Sequence, residues 1–381
     1  MEDNRAVQLL WDVMAIPSVN GRDDEGSVAE YLCDYFKKEG MDAKVERIDS
    51  FHANVTAVLE GEASDGVVIW NGHLDTVPYG AMEDWHTDPS VPVRKGTRLF
   101  GRGASDMKSG LCAMVSALCR YKRSGKRPAY TICFIGTCDE EKYGLGAKDV
   151  LEKGGMGDCR QILIGEPTGL KLGMAQKGCV WLELNLHGKT SHGAYPEQGC
   201  SAVEYGWQMT RQMKSYVESF SHDLLGNSTA NVTQMEGGTA PNMIPESCRI
   251  LMDIRMVPGL TDQMVMERAQ RSLAEARETS GGILEGHIQI RNNRKAIEIR
   301  EDAPLVRCMK RCMINEGIEP ERTGINFFTD ASILTRDIPD AQVLLFGPGD
   351  PSMAHQPDEF VDLEKYEKAV RILTAMIEQK L

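Results

Sequence analysis

Residues 66–80 read GVVIWNGHLDTVPYG. Four consecutive apolar side chains, Val67, Val68, Ile69 and Trp70, mark a strand buried on both faces. The run then breaks into His73, Asp75 and a turn containing Pro78. A strand of this kind belongs to a largely parallel sheet covered by helices, and ligands in such sheets sit beyond the carboxyl ends of the strands. His73 and Asp75 stand at that end. Taken alone, the pair reads equally well as polar residues of an ordinary loop.

Three further apolar runs end in the same way. TICFIG (131–136) leads to Asp139, Glu140 and Glu141, and QILIG (161–165) to Glu166. QVLLFGPGD (342–350) passes through a Gly-Pro-Gly turn to His355. Parallel neighbours would align these exits along one rim. Asp106 arrives differently, ahead of a helix marked by Leu111, Met114, Val115 and Leu118. It reads either as a helix N-cap or as a further member of the rim, with Gly101 and Gly103 allowing a cramped backbone. Two imidazoles and several carboxylates, without a thiolate, suit zinc, manganese or cobalt. Five protein ligands exceed the three usual for one catalytic zinc, so two ions sharing a bridging carboxylate account for the surplus.

The remainder of the 381 residues bounds this reading. The chain is 41% hydrophobic and 26% charged, which supports a substantial core. A net charge of −13 argues against nucleic acid or an anionic membrane as partner. The 11 cysteines include no CxxC pair, a pattern of free thiols in a reducing compartment. Val7, Leu10, Trp11 and Met14 follow helical spacing where a signal peptide would need a basic and then an apolar segment. No apolar run reaches the ~20 residues of a membrane span, and a cytoplasmic location is expected.

From about Val180 the rhythm changes. VWLELNLH alternates, with Val180, Leu182, Leu184 and Leu186 on one face. Helical spacing over about 201–219, a strand, a second alternating strand containing Ile250, Met252 and Ile254, a helix over about 262–278 and GHIQIR complete a β-α-β-β-α-β order. That is the order of a ferredoxin-like sandwich. The expected fold class is α/β, a mostly parallel helix-covered sheet, with this α+β domain inserted. Residues 1–178 and 294–381 form the catalytic domain, and 179–293 form the insertion.

Seven segments occur in order: NGHLDTVP, GRGASDMKSG, CDEEKYG, GEPT, GKTSHGAYPEQG, NMIPESCRILMDIR and GPGDPSMAHQPDE. Together they resemble the family of acetylornithine deacetylases, succinyl-diaminopimelate desuccinylases, aminoacylases and related carboxypeptidases over nearly the whole chain. The final segment is most similar to the acetylornithine deacetylase branch, whereas FFTDAS (327–332) departs from both biosynthetic patterns.

The resemblance implies two divalent ions, zinc foremost, with cobalt or manganese as alternatives. His73 and Glu166 would ligate one, Glu141 and His355 the other, and Asp106 would bridge them. It implies a cis peptide after Asp106, Glu140 as general base, and Asp75 hydrogen-bonded to the second nitrogen of His73. The insertion resembles the family's lid and dimerisation domain, so a homodimer is expected. His192 would stabilise the oxyanion, and Asn242 and Arg255 would bind the substrate carboxylate. Arg255 also reads as a partner for Asp253, and His192 as a plain loop histidine. The basic run RNNRKAIEIR (291–300) is expected to be a solvated strand edge. The implied substrates are N-acyl amino acids, with short peptides as the rival class. A non-catalytic binding protein on the same scaffold is the reading from outside the hydrolases.

Overall fold

The computed structural model describes residues 4–62, 66–157, 159–338 and 340–380. By its contacts the chain divides into two compact units. One comprises Met1–Met174, Glu298–Thr323 and Thr329–Leu381, and the other Ala175–Ile297 with Gly324–Phe328. The second unit thus begins and ends a few residues outside 179–293 and takes in a short returning segment.

The first unit is built on a nine-stranded sheet. Its centre places Thr131–Thr137, Val67–His73, Gln161–Ile164 and Gln342–Leu345 side by side, all parallel. These are the four apolar runs singled out above, and their register levels the exits: His73 lies opposite Thr137, and Leu345 opposite Ile164. Antiparallel strands Ala53–Leu59 and Asp42–Arg47 continue one edge. Trp70, Ile132, Phe134, Leu163 and Leu344 are fully buried, as a sheet covered on both faces requires.

The helix Lys108–Arg123 is buried along almost its entire length. Gly110 explains how it comes so near the sheet. A Cβ there would lie 1.6 Å from the carbonyl oxygen of Gly165, so only glycine admits the approach. The helices Asn4–Ala15, Pro304–Asn315 and Leu363–Ile377 present apolar stripes to the same core. All eleven cysteines are free, and every one except the partly buried Cys133 is buried.

The second unit contains the antiparallel order Thr229–Gly237, Ser247–Met256, Gly178–His187, Glu285–Arg294. With the helices Ala202–Glu218 and Asp262–Thr279 this is the β-α-β-β-α-β sandwich. Burial alternates strictly along Ser247–Met256. Leu182, Leu184, Ile250, Met252 and Ile254 pack with Met209, Met213, Val265 and Ala269 in one cluster. Both helices are capped, Ser201 accepting from Glu204 N and Thr261 from Met264 N. On the other face, Glu183 accepts from Arg249 at 2.7 Å, Gln289 at 2.6 Å and Asn185 at 2.9 Å. The 291–300 segment is not a wholly solvated edge, because Arg294 is 3% exposed and lies 5.2 Å from the centre of the Phe328 ring. A bulge between Ile290 and Asn292 shifts the register just before it.

Candidate metal centre

The aligned strand exits bring together two sets of donors. His73, Asp106 and Glu166 form one, and Asp106, Glu141 and His355 the other, each with ligand atoms within 4.8 Å of one another. Asp106 belongs to both. Its Oδ1 lies 3.2 Å from His73 Nε2 and its Oδ2 3.4 Å from His355 Nε2. His355 Nε2 is in turn 3.0 Å from Glu141 Oε2. The cap position of the following helix is Met107, not Asp106, whose oxygens face the two imidazoles. The Asp106–Met107 peptide is cis.

Electrostatics show what the centre would accept. Burial pushes the carboxyls of Glu140 and Glu166 well above their usual range, and neighbouring acids add to the shift. Hydrogen bonds to Asp106 and Glu141 raise His355 to about 10. Burial disfavours ionised Asp106, yet hydrogen bonds from His355 and His73 overcome it and hold the group below its ordinary value. Glu166 Oε2 is buried without a hydrogen-bond partner. The nearby buried cations are committed elsewhere: Arg102 pairs with Glu359 at 2.8 Å, and Lys108 donates to the carbonyls of Val13 and Ile16. So many buried acids around one orphaned oxygen fit divalent cations, and the all-N/O donor set suits zinc, cobalt or manganese.

Glu140 is 8% exposed and belongs to neither donor set. Asp75 is held differently from the expectation. His73 Nδ1 hydrogen-bonds to the backbone carbonyl of Asp75 at 3.0 Å, while the carboxylate lies 3.7 Å away. That carboxylate instead accepts the backbone N–H groups of Glu140 and Glu141, each at 3.1 Å. The chain turns so soon after His73 that the carbonyl reaches the ring first.

In the second unit, His192 and Asn242 lie on adjacent exposed segments. Gly193 N donates to Asn242 O at 2.8 Å, and His192 bridges to Met243. Ala194 N donates to His192 Nδ1 at 3.1 Å. Both arms of the Arg255 fork bind Asp253, at 2.7 and 3.1 Å, and the guanidinium lies 5.6 Å from the centre of the Phe328 ring.

Four supporting residues escaped the sequence reading. Glu359 accepts from Gly103 N, Ser105 N and Asp106 N, and so fixes the loop carrying Asp106. Its signal was its place in HQPDE, four residues after His355. Asp330, from the divergent FFTDAS, is 3% exposed, and its charge helps raise Glu140 and Glu166. Asn20 and Glu25 lie in the turn-rich PSVNGRDDEG (17–26), where nothing local marks them. Burial pushes the Glu25 carboxyl up to about 9, with the Asp75 charge adding to the effect.

Comparison with known proteins agrees with this architecture. The model of peptidase family M20/M25/M40 matches residues 69–379. A probable succinyl-diaminopimelate desuccinylase of Staphylococcus aureus is 27% identical over 400 residues, covering 97% of this chain and 96% of its own. An acetylornithine deacetylase of Myxococcus xanthus is 30% identical over 344 residues, covering 88% and 85%. Among solved structures, aminopeptidase PepT of Bacillus cereus has a TM-score of 0.79 at 18% identity over 98% of each chain. An M20 family metallo-carboxypeptidase of Sulfolobus solfataricus has a TM-score of 0.77 at 18% identity over 99% of each. These two share the fold. With its paired donor sets and a family match spanning most of its length, the chain belongs to peptidase family M20/M25/M40 and is a metal-dependent hydrolase.

Proposed function

We propose that the protein hydrolyses the amide bond of N-acyl amino acids, beside a free carboxylate. The observation that carries this is the pair of donor sets sharing Asp106, with Glu140 buried beside them and left out of both. The relatives, a probable desuccinylase and a deacetylase, favour acyl-amino acids. The carboxypeptidase and aminopeptidase that share the fold keep dipeptides as the second reading.

In this reading His73 and Glu166 hold one cation, Glu141 and His355 the other, and Asp106 both. Such cations, when bound, supply Lewis acidity to the scissile carbonyl and to water. Glu140 takes the proton from the attacking water and returns it to the leaving amine. A buried carboxyl that belongs to neither donor set is free for both directions of that transfer. Asp75 orients Glu140 through its backbone N–H. His192 stabilises the oxyanion, contributed by the second subunit of a homodimer formed through the inserted domain. Asn242 and Arg255 take the substrate carboxylate, the planar guanidinium being suited to it.

The test is a hydrolysis screen of acyl-amino acids and dipeptides with zinc, cobalt or manganese added. Turnover of acetylornithine or another acyl-amino acid ahead of dipeptides supports the proposal, and the reverse order favours the peptidase reading. Glu140→Gln is expected to lower kcat by about 10²–10⁴-fold with metal content unchanged. Full turnover in that variant removes Glu140 from the mechanism. His192→Ala mixed with a metal-site variant is expected to regain activity, and the absence of any regain counts against a shared site.

A further inference from the structure

Behind the metal centre, one side chain joins three acids. Asn20 Nδ2 lies 2.8 Å from Asp139 Oδ1, 3.2 Å from Asp75 Oδ2 and 3.2 Å from Glu25 Oε1. An amide nitrogen carries two protons, so three acceptors share them. Each acid is already engaged in backbone geometry. Asp75 receives the N–H groups of Glu140 and Glu141, and Glu25 Oε2 receives Asp139 N at 2.8 Å. Asp139 Oδ2 receives Leu145 N at 3.2 Å. Asp139 itself has φ +59°, in the left-handed region, where Asp is one of the few non-glycine residues regularly found.

The segment bearing Asn20 is tied to the other strand exit as well. Asn20 N donates to Thr76 O at 2.8 Å, Thr76 N to Ser18 O at 2.9 Å, and Ser18 Oγ to Leu74 O at 2.9 Å. Residues 18–25 therefore span the turn after His73 and the turn that carries Glu140. None of them belongs to either donor set.

We propose that Asn20 is a positioning residue for the base. Its carboxamide holds Asp75 and Asp139 together, and through them fixes the Asp139–Glu141 turn so that Glu140 is aimed while Glu141 remains a ligand. The role rests on the assignment of Glu140 as base. Three acids crowd their oxygens around one point, and the shared amide donor holds them there. Removing the donor lets the turn relax, and a displacement of about 1 Å is enough to cost on the order of a hundredfold in rate.

The experiment uses the full chain with zinc added, as wild type, Asn20→Ala and Asn20→Asp. Asn20→Ala is expected to lower kcat about ten- to a hundredfold with KM within about twofold. Asn20→Asp, which adds a fourth acid in place of the donor, is expected to lose more. Amide hydrogen exchange supplies a readout independent of turnover. The Glu140 and Glu141 amides should lose protection in Asn20→Ala, while the strand Gly178–His187 keeps its own. Unchanged protection at those two amides, or a kcat loss that only follows a general loss of protection, overturns the proposal. If the wild type hydrolyses nothing in the screen and those amides are still released in Asn20→Ala, the clamp stands and the proposed substrate class falls.

Discussion

Among single side chains, the candidate donors and the proposed base depend on buried partners that are neither. Glu359 is the clearest case, a fully buried carboxylate that takes three backbone N–H groups and Arg102. Glu359→Ala strands the Arg102 guanidinium in the interior, and a broken buried pair typically costs about 3–5 kcal/mol. Urea unfolding should show a loss of that order, together with weakened zinc binding as the Asp106 loop loosens. The candidate donors were legible because all but Asp106 follow an apolar run and each is chemically distinctive. Glu359, Asn20 and Glu25 were not, since their importance lies in which distant N–H groups they meet. Asp75 falls between the two: its position was readable, whereas the choice between its carbonyl and its carboxylate depended on how tightly the chain turns after His73.

Secondary-structure elements set the tolerances around these side chains. Alanine in place of a helical glycine ordinarily gains about 1 kcal/mol of helix propensity. At Gly110 the added methyl would meet the Gly165 carbonyl at 1.6 Å, a backbone atom that cannot turn aside. Gly110→Ala is therefore expected to destabilise by about 1–3 kcal/mol or more and to push Asp106 away from Glu166. A lower urea midpoint with reduced zinc stoichiometry would establish it. In the inserted sheet, hydrogen bonds from Asn185 and Arg249 hold the Glu183 carboxyl at about 2, below its ordinary 4.5. A depressed carboxyl stabilises the fold above the unfolded value and loses that contribution as pH falls toward the folded one. Stability of this unit should thus decline from pH 4.5 toward about 2, and Glu183→Gln should flatten the decline in acid titrations followed by circular dichroism. The strand periodicities of both sheets were plain from sequence: all-apolar where two faces are covered, alternating where one is. The burial of Arg294 was not, because it follows a bulge and packs on Phe328, a residue 34 positions further along.

For the protein taken entire, the centre is an accumulation of like charge that folding alone does not neutralise. A ligand that binds only the folded state at a thousand times its Kd stabilises by ~4 kcal/mol. Chelation should accordingly lower Tm, and adding back zinc should restore it, as differential scanning calorimetry would record. An unchanged Tm would mean the acids are compensated without a cation. The donors also come from places far apart along the chain, Glu141 and His355 being separated by 214 positions. Contacts so remote carry a large loop-closure cost during folding. A refolding chain would then complete both donor sets only after the C-terminal stretch has found its place, so uptake of an added cation would act as a clock that marks arrival at the native state.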